Sequence, residues 1–198
     1  MTDKEIKFIG ESVTQGFEIY KNNFFPLIIF SGIAWLLSLI TMMALSGPLL
    51  GSLVIVTLFL TDNEKFDLST ETIFKGFRYF VDLFLFVLIW GVGVGFVVFL
   101  VRPLPLGWLI SLIISYSVNV LIMFGPFLIV DKNMKFWEAS LLSIEKVKNK
   151  FQLFFMLYIF AFVLGLSGAI LVLIGVFITT PLYFCILSVA YKRVFKKL

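Results

Sequence analysis

Apolar residues fall in three long blocks, Phe24–Leu60, Leu83–Val130 and Phe151–Ala190, separated by charged connections. Each block is about twice the ~20 residues that carry a helix across ~30 Å of hydrocarbon. Turn chemistry interrupts each block near its middle: Ser46-Gly47-Pro48, then Arg102-Pro103-Leu104-Pro105, then Gly175 followed by Thr179-Thr180-Pro181. Proline donates no backbone N–H and disfavours helix in the residue before it. The pattern predicts an all-α integral membrane protein, a single membrane domain over 1–198 with about six transmembrane helices in three hairpins. One segment fits poorly. Leu49–Leu60, about 12 residues, reaches only roughly 18 Å and needs a longer start, a thinned bilayer or cover from other helices.

Ahead of each hairpin the period changes to that of one helical face. Ile6, Ile9, Val13, Phe17, Tyr20 and Phe24 step by three or four in the first, and Ile73, Phe77, Phe80 and Phe84 in the second. Ser69 is placed to cap the second helix. In the third, Trp137, Leu141, Ile144, Val147 and Phe151 share a face. Each reads as an amphipathic helix in the membrane interface that then turns into the bilayer. The three units align without gaps: Gly16, Gly76 and Ser143; Phe17, Phe77 and Ile144; Asn22, Asp82 and Asn149; Phe24, Phe84 and Phe151. An internal repeat over roughly 3–62, 68–130 and 136–195 is the expectation. Lys146, Lys148 and Lys150 of the third unit are candidate contacts for anionic lipid, to which each nearby basic residue contributes ~1 kcal/mol.

Composition supports the membrane reading. The chain is 61% hydrophobic and 14% charged, against ~45–50% and ~25% for a soluble domain. The charges then set the threading. With the N-terminus in the cytoplasm, all 12 acidic residues and all but one of the 16 basic residues lie on that side, leaving Arg102 outside. Retained positive charge is the expected cytoplasmic bias, so the protein is expected in the cytoplasmic (inner) membrane, multi-pass, with both termini cytoplasmic. The first apolar run is about 22 residues against ~7–15 for a cleavable signal, and reads as a retained span.

The candidate chemistry is sparse. There is no histidine, which removes the commonest metal ligand and general base, and the single cysteine, Cys185, lies in an apolar run. No phosphate-binding loop of the Gly-x-x-x-x-Gly-Lys-Ser/Thr type occurs, and none of the expected helix interiors carries a charge of the kind that marks ion pathways. The GVGVG run at 91–95 sits inside an apolar helix with no strand before it, so Gly91 and Gly95 read as a small-residue packing face, as do Ala161, Gly165 and Ala169. Ser111, Ser115 and Asn119 form a polar stripe at steps of four on the fourth helix. Such a stripe serves interhelical hydrogen bonding or lines a substrate path. No catalytic residue, metal site or cofactor is expected, and the protein is read as not an enzyme. The expected partners are membrane lipids and a second copy or another membrane protein, not nucleic acid.

Several motifs bring a family into view. GPLLGS (47–52) is followed, after Asp62, by Leu68 and IFKGFRYF (73–80). Later come FLIVDKNMKFWEASLLSIEKVKNKF (127–151) and ITTPLYFCILSVAYKRVF (178–195). The order resembles a Gly-Pro-Leu-Leu-Gly helix, an acidic connection and a Phe-x-Gly-Phe element. An Asp after a helix, an aromatic-Glu-Ala-x-x-x-Ser helix and a Pro-Leu helix ending in Ala-Tyr-Lys/Arg then follow. These are features of uncharacterised multi-spanning bacterial and archaeal membrane proteins related to the membrane domain of some glycerophosphodiester phosphodiesterases. The 198 residues leave no room for the phosphodiesterase domain itself, so the resemblance implies a membrane module and transfers no catalytic residue. The expected function is a non-enzymatic membrane-organising, lipid-interacting or scaffolding module. The alternative is a small transporter or channel-like permease with its path along helix four.

Overall fold

The computed structural model describes residues 2–41, 44–64, 69–166 and 173–195, with backbone alone at 70, 166 and 173–176. Among them every regular element is helical. The order is α1 (Asp3–Asn22), α2 (Phe24–Ile40), α3 (Ser46–Thr61), α4 (Thr70–Phe74), a 3-10 turn (Lys75–Tyr79), α5 (Phe80–Val101), α6 (Gly107–Ile122), α7 (Gly125–Lys132), α8 (Phe136–Lys148), α9 (Phe151–Leu166) and α10 (Leu173–Phe195). Two stretches, Glu71–Val101 and Gly107–Lys132, are long and apolar enough to cross a membrane, and up to four if each sharply bent helix pair counts as one span.

The bends come where charged chain meets apolar chain. α1 meets α2 at 89° around Asn23, and α8 meets α9 at 107°. The stripe predicted along α1 divides between two environments. Ile9 and Tyr20 are buried, with Ser12 and Gly16 between them, while Ile6 and Phe17 stay half exposed. The second unit departs from the expected pattern. Ser69 caps α4 as predicted, its Oγ accepting the Thr72 N–H at 3.2 Å, but no separate amphipathic helix follows. Instead the chain tightens into the 3-10 turn and runs straight into α5. Gly76 explains this: it lies against the Pro48 carbonyl and Ser52 of α3, where a Cβ would collide, and its N–H donates to Ser52 Oγ at 2.8 Å.

The segment that is too short at Leu49–Leu60 begins earlier, at Ser46 with Pro48 in its first turn, and ends at Thr61. At 16 residues it rises about 24 Å. It is apolar on every side, as a helix enclosed by others must be, and most of its residues are buried. α3 and α10 form the centre of the bundle: α10 packs on α1, α2, α3 and α9, and α3 on α5, α7 and the 3-10 turn. Gly47 and Gly51 let Leu83 of α5 approach, and Gly125 does the same for Phe86.

One helix breaks where no turn is expected, and one expected turn is absent. The helical stretch after the Arg102 turn is broken into α6 and α7 at Met123-Phe124, ahead of Gly125-Pro126. Thr179-Thr180-Pro181 do not end a helix, because α10 continues through them. The proline removes one ladder hydrogen bond, but polar groups around it are partnered from neighbouring elements, which is how such residues are tolerated in membrane helices. Tyr20 OH donates to the Ile178 carbonyl at 2.7 Å and Trp35 Nε1–H to Thr180 Oγ1 at 3.3 Å. The Thr179 hydroxyl donates to the Gly165 carbonyl.

Candidate functional site

Three helices that run through the bundle end together in a cluster of charge. Asp62 is the C-cap of α3, Asp131 lies in the last turn of α7, and Tyr191, Lys192 and Arg193 lie in the last turns of α10. Carboxylates at helix C-termini face the negative end of the dipole, so both Asp62 and Asp131 call for a cation. Lys192 supplies it. Its Nζ stands 2.7 Å from Asp62 Oδ2 and 3.6 Å from Asp131 Oδ1. Tyr191 OH donates to the other Asp131 oxygen at 2.9 Å. The Tyr191 ring is fixed by stacking on Phe127 and Phe195, with centroids 5.3 and 4.9 Å away. Thr61 and Ser188 hydroxyls meet beside the cluster at 2.7 Å.

A second set of contacts ties α1 to the same end. Arg193 Nη1 donates to Glu11 Oε2 at 2.6 Å and Nη2 to Gln15 Oε1 at 2.9 Å. One turn further on, Gly16 lies against Ile186.

Lys192 separates two open clefts of about 450 and 470 Å³. On one side stand Lys132, Arg193 and Gln15; on the other, Glu71, Lys75, Arg78 and Tyr79 above the apolar side chains Ile55, Leu58 and Phe59. Lys75 Nζ lies 5.4 Å from the Phe59 ring centroid, and the Arg78 guanidinium 6.0 Å from that of Tyr79.

The residues singled out from sequence lie mostly elsewhere. Ser111 is buried and returns its hydroxyl to the Gly107 carbonyl at 2.6 Å. Asn119 is exposed, its Nδ2 donating to the Ser115 carbonyl at 2.8 Å. The three do not share a cavity: Ser111 and Ser115 line a shallow groove with Val98, Arg102 and Trp108, and Asn119 is not among its walls. Lys148 and Lys150 are exposed and Lys146 half buried. Gly91 and Gly95, expected to pack closely, have nothing within 4 Å of an added Cβ, so their face is open within the chain. Ala161 is fully buried and Gly165 lies against Tyr183 of α10, while Ala169 falls outside the described residues. The aligned positions Gly16, Gly76 and Ser143 are all buried at helix crossings, whereas Phe24, Phe84 and Phe151 are part exposed.

Sequence reasoning does not join Asp62 and Asp131 to Tyr191 and Lys192. The signal was present in the family-like motifs, as an Asp ending a helix and an Ala-Tyr-Lys ending another. No group of three or more metal-ligating side chains occurs among the described residues. Comparisons with protein-family models, curated proteins and solved structures find no match to this chain. The likeness to phosphodiesterase-linked membrane domains therefore rests on those motifs alone.

Proposed function

We propose that the chain is a multi-pass inner-membrane protein with a non-enzymatic, lipid-interacting and membrane-organising role, built from three hairpins. The observation that carries this reading is the pair of right-angle elbows, at 89° and 107°. Each sets an amphipathic helix across the start of an apolar one, the geometry of a helix lying in the interface beside a helix entering the bilayer. In this reading α2, α3, α5, the α6–α7 pair, α9 and α10 are the six spans. The 16- and 17-residue helices rise about 24–26 Å, short of the average hydrocarbon thickness and accommodated by local thinning. The charged cluster at the ends of α3, α7 and α10 faces the cytoplasm, and the Arg102 turn faces outward. The permease reading draws no support from Asn119, whose amide is turned back onto its own helix.

Single cysteines at Lys4, Arg102 and Lys146, in a Cys185→Ala background, test the threading with a membrane-impermeant maleimide on intact cells and on inverted vesicles. Label at Arg102 from outside only, and at the other two from inside only, is the expected outcome. Label at Arg102 in inverted vesicles only would overturn it.

A further inference from the structure

We propose that the cleft beneath the Lys75–Tyr79 turn binds the phosphodiester headgroup of a membrane lipid, held by Lys75 and Arg78. This deepens the lipid-interacting reading and rests on that end of the bundle lying at the membrane surface.

Backbone form is the first reason. In a 3-10 turn, residues three apart eclipse one another, so Lys75 and Arg78 project over the same cleft and both line it. An α-helix would set them about 60° apart around the axis. The turn is held in this form by Gly76 seated on α3, so the pairing of the two cations is built into the packing.

Charge is the second. In the neighbouring cleft each cation already has a carboxylate: Lys132 has Asp131, Lys192 has Asp62, and Arg193 has Glu11. Lys75 and Arg78 make no ion pair among the described residues and lie instead against the Phe59 and Tyr79 rings. Aromatic faces steer a cation without neutralising it. Glu71 is the carboxylate of this cleft left over once Lys192 balances Asp62 and Lys132, from the neighbouring cleft, balances Asp131. Lys75, Arg78 and Glu71 together carry one net positive charge, which a phosphodiester monoanion balances. A guanidinium also matches phosphate oxygens in a bidentate fork.

The floor is the third. Ile55, Leu58 and Phe59 give the cleft an apolar wall beneath its charged rim. A bare phosphate leaves that wall wet, whereas the glycerol and first methylenes of a lipid cover it.

The test uses the full chain in detergent, with native mass spectrometry counting bound dioleoylphosphatidylglycerol, and dioleoylglycerol and inorganic phosphate as separate arms. Lys75→Gln with Arg78→Gln is expected to lower phosphatidylglycerol retention about tenfold or more, from the attraction each basic residue supplies. Lys146→Gln with Lys148→Gln and Lys150→Gln is expected to change it less than about twofold, since those side chains lie outside the cleft. Glu71→Gln is expected to raise retention severalfold, a gain that misfolding cannot produce. Unchanged retention in the Lys75/Arg78 variant overturns the proposal, as does equal loss in both lysine-directed variants or equal binding of dioleoylglycerol. Thermal stabilisation by inorganic phosphate matching that by phosphatidylglycerol overturns the lipid as occupant. Retention in a micelle does not depend on orientation, so maleimide labelling and lipid counting fail separately.

Discussion

An added Cβ at Gly16 would stand 2.7 Å from the Ile186 Cα and 2.8 Å from its backbone nitrogen. Backbone cannot step aside as a flexible side chain does. Gly16→Ala is therefore expected to destabilise the protein by about 1–3 kcal/mol, the usual cost of overpacking. Gly95→Ala supplies the contrast, since nothing lies within 4 Å of the new methyl group. It is expected to leave stability unchanged or raise it by up to about 1 kcal/mol, the helical preference of alanine over glycine. Thermal unfolding in one detergent checks both, and equal losses at the two sites would contradict the packing described. The sequence made Gly16, Gly76 and Ser143 visible through spacing alone. It pointed equally to Gly91 and Gly95, because a small residue looks the same whether or not a neighbour occupies its face.

At the scale of elements, the boundaries that follow from local chemistry were the readable ones: Ser69 at its cap and Arg102 after α5. What escaped were elements decided by partners far along the chain. α10 passes through Pro181 with Tyr20 and Trp35 bonded to groups beside it. The Lys75–Tyr79 turn takes its form from α3, and the break between α6 and α7 depends on α8. There Ser143 Oγ donates to the Leu121 carbonyl at 2.8 Å and accepts the Phe124 N–H at 3.3 Å. Ser143→Ala strands both backbone groups in a buried site, and a loss of about 1–3 kcal/mol is expected. Ser143→Thr keeps the hydroxyl but adds a methyl at a fully buried position, where overpacking is costly, so it is expected to restore stability only in part. Urea or thermal denaturation distinguishes these outcomes, with wild-type stability in Ser143→Ala the contrary result.

At the scale of the whole molecule, Lys192 of α10 joins the ends of α3 and α7 through Asp62 and Asp131. The partners are a third to a half exposed at Asp62 and Lys192, so solvent weakens the pair, and a double-mutant cycle of Asp62→Asn and Lys192→Gln is expected to give a coupling of about 0.2–1 kcal/mol. A coupling of zero would reduce the contact to a surface coincidence. Nothing in the local pattern announced this meeting, because long apolar stretches separate the three charges in the chain. The same holds for the packing order. The Lys75–Tyr79 turn rests on α3, α8 rests on α6 and α7, and α1 rests on α10. Time now enters, since a ribosome makes these pieces in sequence. The Lys75–Tyr79 turn and α8 find their supports already synthesised, whereas α1, made first, packs against the helix made last. Closing a loop of nearly the full chain comes late and slowly. Through most of synthesis α1 lacks α10, and the face that carries Ile9, Ser12, Gly16 and Tyr20 stays uncovered until the last helix is made.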